Sequence, residues 1–181
     1  MLIRIAVAIV VAIGVTGCAG FNKAARQAAG SGVVTDSKDS FSGARWVTLS
    51  RSPVGGATGV FSVCCNVGMS WTPKVPEGAI LTAELTAIAA LGSVSLNIDG
   101  DIQKLEAVDR FTQFGSDHNS KKGYYVPWPL VERMAAAREA KILITTLSSG
   151  SVVGDFRNTD GAMFIDFLPD FIAAVRNARG Q

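Results

Sequence analysis

The chain has 181 residues, and its 17 lysines and arginines against 15 aspartates and glutamates give a formal net charge of +2. This length suits one domain of ordinary size that can bury a core without disulfide staples. A nearly balanced charge, without a basic stripe or an acidic tail, argues against a nucleic-acid-binding function and against a strongly cationic partner.

The first eighteen residues have the three parts of an export signal. Arg4 supplies one positive charge, and an apolar run follows from Ile5 to Val15. The small residues Thr16 and Gly17 then precede Cys18. A charged start, a short apolar core and a small-residue cut site are typical of a secretory signal peptide. The apolar run is too short for a transmembrane helix, which needs about 20 residues.

Val15, Thr16, Gly17 and Cys18 resemble the lipobox of bacterial lipoproteins: an aliphatic residue, a small residue, Gly or Ala, and then Cys. The resemblance implies that the Cys18 thiol receives a diacylglyceryl group, that residues 1–17 are removed, and that the new amine is acylated. Two or more acyl chains anchor a protein stably, whereas one binds a membrane only marginally. The resemblance also implies an envelope location. Because residue 19 is alanine rather than aspartate, the family's sorting rule implies the outer membrane, facing the periplasm, if the cell is Gram-negative.

The sequence predicts three segments: a signal peptide over 1–17, a lipidated cysteine with a flexible tether over 18–43, and one globular domain over 44–181. The tether is predicted because residues 19–42 are rich in Ala, Gly and Ser. Two further thiols, Cys64 and Cys65, are adjacent, so on a strand they would point to opposite faces. We expect both to be free.

Period-two alternation dominates the predicted domain. From Phe61 to Thr72 apolar residues alternate with small or polar ones, which predicts a strand with one buried face and Cys65 inward. Leu81 to Leu91 repeats the pattern, although its alanines leave a helix as the alternative. Other strands are predicted over 45–50, 94–98, 102–108, 141–147, 152–157 and 163–167, with turns at 53–56 and Asp99-Gly100.

Two helices complete the prediction. Pro127-Trp128-Pro129 is typical of a helix start, and an apolar stripe follows from Leu130 to Ala137. Pro169 disfavours helical structure just before it, so it is predicted to open a C-terminal helix. The expected fold class is α+β, mainly antiparallel β-sheet with two amphipathic helices on one face. Residues 111–126 are predicted to be irregular, and 115–123 to form an exposed loop.

The sequence shows no convincing catalytic site. Its one histidine, His118, lies beside Asp117 with Ser116 and Ser120 nearby, but no nucleophile elbow is present. A solvated loop histidine is the better interpretation. We therefore expect no catalytic residue.

Nor does the sequence indicate a metal or a cofactor. One histidine and two thiols facing apart do not supply a transition-metal site. Asp99, Asp101 and Glu106 would bind calcium weakly at best, because no loop of calcium-site pattern surrounds them. Gly55 to Gly59 is glycine-rich but lacks the lysine of a phosphate-binding loop, so it is expected to be a turn.

Two candidate surfaces remain. Tyr124, Tyr125 and Trp128 form a local aromatic cluster that would suit an interaction surface, and the alternative is that they pack the helix start onto the sheet. A second candidate is the polar sheet face that carries Thr82, Glu84 and Thr86.

Three functional hypotheses follow. The first is a non-catalytic binding or assembly module tethered to the membrane through Cys18, with another envelope protein as a candidate partner. The second is a small hydrolase whose carboxylates come from Asp109, Asp117, Asp155 or Asp166. The third is an inhibitor or immunity-type protein that presents residues 115–123 to a secreted enzyme.

Overall fold

A computed structural model describes residues 23–59, 65–147, 150–156 and 164–180. The chain divides into two compact units, residues 1–31 and residues 32–181. In the first unit the described residues 23–28 are helical and belong to helix α1, and the Ala29 N–H donates to the Ala25 carbonyl at its end. The predicted signal peptide and Cys18 lie outside the described residues, as does Cys64.

In the second unit the described residues form eleven strands and two further helices. The strands are β1 (Val34–Lys38), β2 (Arg45–Pro53), β3 (Gly55–Gly59), β4 (Cys65–Trp71), β5 (Gly78–Leu85), β6 (Leu91–Ile98), β7 (Asp101–Ala107), β8 (Gln113–Phe114), β9 (Ser120–Pro127), β10 (Ala140–Thr146) and β11 (Ser151–Asp155). The helices are α2 (Trp128–Ala136) and α3 (Phe164–Arg179).

The strands pair antiparallel in the order β1-β2-β4-β5-β9-β7-β6-β10-β11-β3, and β8 pairs with β9. We call β1, β2, β4, β5 and β9 half A, and the other five strands of that order half B. The halves are hydrogen-bonded through β7 and β9 at Glu106–Tyr125 and Ala107–Tyr124. They are also joined covalently, because β2 ends at Pro53 in half A and β3 begins at Gly55 in half B. The predicted antiparallel sheet is therefore confirmed.

The register of half A puts one row of apolar side chains on a single face. Leu49 pairs with Met69, Met69 with Leu81, and Leu81 with Tyr124. All four are at most 1% exposed. We call this the inner face and the opposite one the outer face. The alternation predicted for 65–71 is confirmed, and Cys65 is buried.

Two local predictions in this region are wrong. The segment Leu81–Leu91 is not one element, because β5 ends at Leu85 and β6 begins at Leu91, so the break falls before Gly92. The expected turn at 53–56 is instead a continuation of extended chain, since the Val54 N–H donates to the Cys65 carbonyl and Gly55–Gly59 pairs with β11. Glycine composition indicated a turn, but pairing with β11 keeps the backbone extended.

The tether was predicted to extend to residue 43, and this is wrong for residues 34–38. These form β1, which pairs from Val34–Leu49 to Lys38–Arg45. The Val33 N–H also donates to Ser50 Oγ at 2.8 Å. The small residues that suggested flexibility are concentrated before residue 33, whereas Val33, Val34 and Thr35 are β-branched strand formers.

Residues 111–126 were predicted to be irregular, yet β9 begins at Ser120. It lies between β5 and β7, and it buries Tyr124 and Val126 completely. The sequence analysis missed this strand because the polar run Lys121-Lys122-Gly123 is not typical of one. Pairing with β5 along the whole strand outweighs that local composition.

Helix α2 begins as predicted, with Pro129 in its first turn and Leu130, Val131 and Met134 buried. Helix α2 contacts β5 and β9, α3 contacts β1, β2 and β4, and the two helices contact each other. No helix in the described part of the chain is long and apolar enough to cross a membrane.

Helix α3 differs from the prediction at its start. It begins at Phe164, so residues 164–167 are helical rather than a last strand, and Pro169 lies inside the helix. Proline costs about 3 kcal/mol in a helix interior. Burial outweighs this cost, because eight side chains of α3 face the core. They are Phe164, Ile165, Phe167, Leu168, Phe171, Ile172, Val175 and Ala178.

Replacing Pro169 by alanine is expected to raise the free energy of unfolding by about 1–3 kcal/mol, because it restores an N–H that can bond to the Ile165 carbonyl. Pro169 is exposed, so no cavity forms. Pro129→Ala is the control, since a first-turn proline costs no intrahelical bond. Urea unfolding measures both. Equal effects would show that Pro169 does not interrupt a helix.

Candidate functional site

An open groove of about 410 Å³ lies on the outer face of half A. It is lined by Trp46, Thr48, Leu49, Ser50, Arg51, Gly68, Met69, Ser70, Thr82, Glu84 and Lys121. The second surface expected from the sequence is thereby located: Thr82 and Glu84 line the groove, whereas Thr86 follows the end of β5.

A buried carboxylate forms the centre of the groove wall. Glu84 is only 4% exposed, although it lies on the outer face. Its Oε1 accepts from Arg51 Nη1 at 2.8 Å and from Asn119 Nδ2 at 2.7 Å. Lys121 Nζ lies 3.8 Å from Oε2. Burying a charge is costly unless it is paired and hydrogen-bonded, and these three partners meet that requirement.

A β-bulge places Arg51 over this carboxylate. Leu49 pairs with Met69, but the next pair is Ser52 with Val67, so β2 has one more residue than β4 between them. The extra residue lets both Leu49 and Ser52 face inward while Arg51 turns outward.

Gly68 is the residue opposite the bulge. A Cβ at this position would lie 3.3 Å from the Leu49 carbonyl oxygen. Any larger residue there would push against the backbone of β2. The glycine therefore permits the close approach that the bulge requires.

Asn119 closes the cluster from the turn between β8 and β9. Its side chain is 98% buried, and Nδ2 also donates to Asp117 Oδ2 at 2.8 Å. Within the described residues its Oδ1 has no hydrogen-bond partner. The Gly115 N–H donates to the Asn119 carbonyl, which closes the turn.

This turn corrects the loop predicted over 115–123. The exposed part ends before Asn119, and residues from Ser120 onward belong to β9. His118 is exposed in a left-handed conformation, with φ of 59°, at the tip of the turn. Its position agrees with the interpretation as a solvated loop residue.

The groove offers two partly exposed cations that are held by one buried anion. The side chains of Arg51 and Lys121 are 58% and 39% exposed. Hydroxyl groups of Thr48, Ser70 and Thr82 line the same face. This arrangement suits recognition of a polar ligand with an anionic group.

Sequence reasoning found Glu84 but missed Arg51, Asn119 and Lys121. Glu84 and Lys121 are direct cross-strand partners, so an opposite-charge pair was a usable signal once β5 and β9 were known to pair. The positions of Arg51 and Asn119 in the site depend on a bulge and a turn that no local sequence pattern indicates.

The predicted aromatic surface does not exist as one surface. Tyr124 is completely buried, and its hydroxyl donates to the Gly92 carbonyl at 2.8 Å. Tyr125 is half-buried on the opposite face, because neighbouring strand residues alternate. Trp128 stacks on Arg179, whose guanidinium carbon is 4.3 Å from its ring centroid and 5.6 Å from that of Trp71. Tyr124 is thus a core residue, and the cluster is divided.

Asp99 and Asp101, two of the three acidic residues considered for calcium, have structural roles, and Glu106 is exposed on β7. Asp99 accepts from the backbone N–H groups of Arg138 and Glu139, and its φ of 50° confirms the predicted turn with Gly100. Hydrogen bonds from Arg133 and then Gln103 hold the pKa of Asp101 below its usual range. Among the residues described, no group of three or more His, Cys, Asp or Glu side chains is placed to hold a metal ion.

The carboxylates considered for a hydrolase lie on separate elements. Asp109, after β7, accepts from the Gly123 N–H at 2.8 Å. Asp117 is bound to Asn119 in the β8–β9 turn. Asp155 ends β11, and Asp166 lies in the first turn of α3.

The chain matches no protein-family model, and comparisons with the curated proteins and with solved structures gave no match either.

Glu84→Ala is expected to lower the free energy of unfolding by about 1–3 kcal/mol, because it leaves one buried N–H of Asn119 without its acceptor. Glu106→Ala, at an exposed position of β7, is the control and should change it by less than about 0.5 kcal/mol. Denaturant unfolding measures both variants. If Glu84→Ala lowers the free energy of unfolding no more than the control does, the cluster is not formed.

Tyr124 makes the fold sensitive to alkali. Burial, with a smaller contribution from the Asp109 charge, raises the pKa of Tyr124 to about 12. A free tyrosine has a pKa of about 10. The contribution of Tyr124 to the free energy of unfolding is therefore complete below a pH of about 10. It is lost between about pH 10 and about pH 12, where the unfolded chain loses the proton and the folded chain keeps it. Tyrosinate absorbance should show a late component that Tyr124→Phe removes and Tyr125→Phe keeps. A late component lost with Tyr125 instead would contradict the assignment.

Proposed function

We propose that the protein is a lipid-anchored envelope protein that acts as a non-catalytic binding module. Its anchor would be Cys18, on the basis of the lipobox-like Val15-Thr16-Gly17-Cys18. Its binding site would be the groove on the outer face of half A. Other envelope proteins or polymers with anionic groups are the proposed partners.

The observation that carries the binding role is the Arg51–Glu84–Asn119 cluster. A buried ion pair contributes little net stability compared with apolar residues, and its best-attested use is to specify geometry. Here the geometry it specifies is that of Arg51 and Lys121 beside an open groove. A fixed guanidinium binds carboxylate or phosphate groups well, because less side-chain entropy is lost on binding.

We further propose that α2 and α3 both cover the inner face of half A and leave the outer face to the ligand. In support, α3 contacts β1, β2 and β4, α2 contacts β5 and β9, and the helices contact each other. The buried stripes of both helices are apolar. The sheet would then separate a packed side from a recognition side.

Intact mass of the protein extracted from membranes tests the anchor. The wild-type chain is expected to begin at Cys18 with added acyl mass, and Cys18→Ala to lack that mass. Cys64→Ala is the matched control and should be acylated like the wild type. Unacylated wild-type protein that begins at another residue would refute the anchor.

A further inference from the structure

Several large apolar side chains are strongly exposed on the second unit, and besides Phe41 and Ile102 these include four on neighbouring segments. Ile88 is 68% exposed, Phe111 72%, Phe114 58% and Leu147 78%. Single exposed apolar residues are common on protein surfaces, but a contiguous group marks an interaction site. The question is therefore whether these four lie together.

Hydrogen bonds connect the loops that carry them. The Leu147 N–H donates to the Ala90 carbonyl at 2.9 Å, which joins the end of β10 to the loop after β5. The Leu91 N–H donates to Thr112 Oγ1 at 2.8 Å, which joins that loop to the segment with Phe111 and Phe114. The four side chains thus project from three connected loops. We call them the apolar tip.

One end of half A carries part of the apolar tip. Cys65 at the start of β4 pairs with Leu85 at the end of β5, and Leu85 pairs with Ser120 at the start of β9. Ser120 in turn pairs with Phe114.

In β2 this end is Pro53, which pairs with Asn66, whereas Ser50 lies in the bulge opposite Gly68, and its Oγ accepts from the Val33 N–H. Residue 33 is the second residue of this unit.

Cations flank the apolar tip. The Arg110 guanidinium carbon lies 5.4 Å from the centroid of the Phe111 ring. Arg51 and Lys121 are partly exposed at the same end of half A. Aromatic and aliphatic side chains with neighbouring basic groups suit the interface of a bilayer that contains anionic lipid.

We propose that the apolar tip binds the lipid bilayer surface. The proposal rests on the proposed anchor at Cys18. Gly32 is fourteen positions after Cys18 in the sequence. A fully extended chain of that length reaches at most roughly 50 Å, and the helical residues 23–28 shorten it. An acyl group at Cys18 thus keeps the tip within reach of the membrane, where it removes apolar surface from water.

The test uses the acylated full chain reconstituted into phosphatidylethanolamine–phosphatidylglycerol vesicles with brominated acyl chains, which quench tryptophan emission on contact. Phe111→Trp reports the apolar tip. Phe41→Trp is the matched control, because Phe41 is 100% exposed in the β1–β2 turn at the opposite end of half A. Wild-type emission from the three native tryptophans is subtracted.

Bromination is expected to remove about half of the emission of Trp at position 111 and to leave position 41 unchanged. No quenching at 111, or equal quenching at both positions, would overturn the proposal, and the tip would then face a protein or solvent.

The mass of the same sample separates this failure from failure of the anchor. Acylated protein without quenching refutes the apolar tip alone. Unacylated protein that is still quenched at position 111 supports the tip and refutes the anchor.

Discussion

The register of half A is the constraint on which the rest of the structure depends. It aligns Leu49, Met69, Leu81 and Tyr124 across four strands and buries them together. A slip of one residue would move this row to the outer face and bring Glu84 into the core. Because the register holds, one face packs against apolar neighbours and the other keeps its polar side chains, so the same constraint creates both the core and the groove.

The groove and the apolar tip lie near the same end of half A. The Glu84 cluster is near the end of half A that also carries Phe114, since Lys121 and Ser120 are neighbours on β9. If the tip rests on a bilayer, Arg51 and Lys121 are held close to the membrane surface. Ligands approaching the groove would then be molecules of that layer of the envelope.

Local patterns in the sequence predicted the elements whose residues decide their own conformation. The alternation over 65–71, the Asp99-Gly100 turn and the start of α2 at Trp128 are of this kind. Elements decided by distant partners were not predicted: β9 is polar by composition but completes the sheet, and α3 tolerates Pro169 because its stripe is buried. Of the site, Glu84 was predicted, whereas its partners come together only through a bulge, a turn and strand pairing.

Photo-crosslinking in cells tests most directly whether the groove is the binding site. A photoreactive amino acid replaces Thr82 in the groove. As the control it replaces Ser95, which lines a smaller groove of about 170 Å³ in half B. The account predicts a discrete adduct from position 82 that is absent from position 95. An adduct from position 95 alone, or equally from both positions, would contradict it.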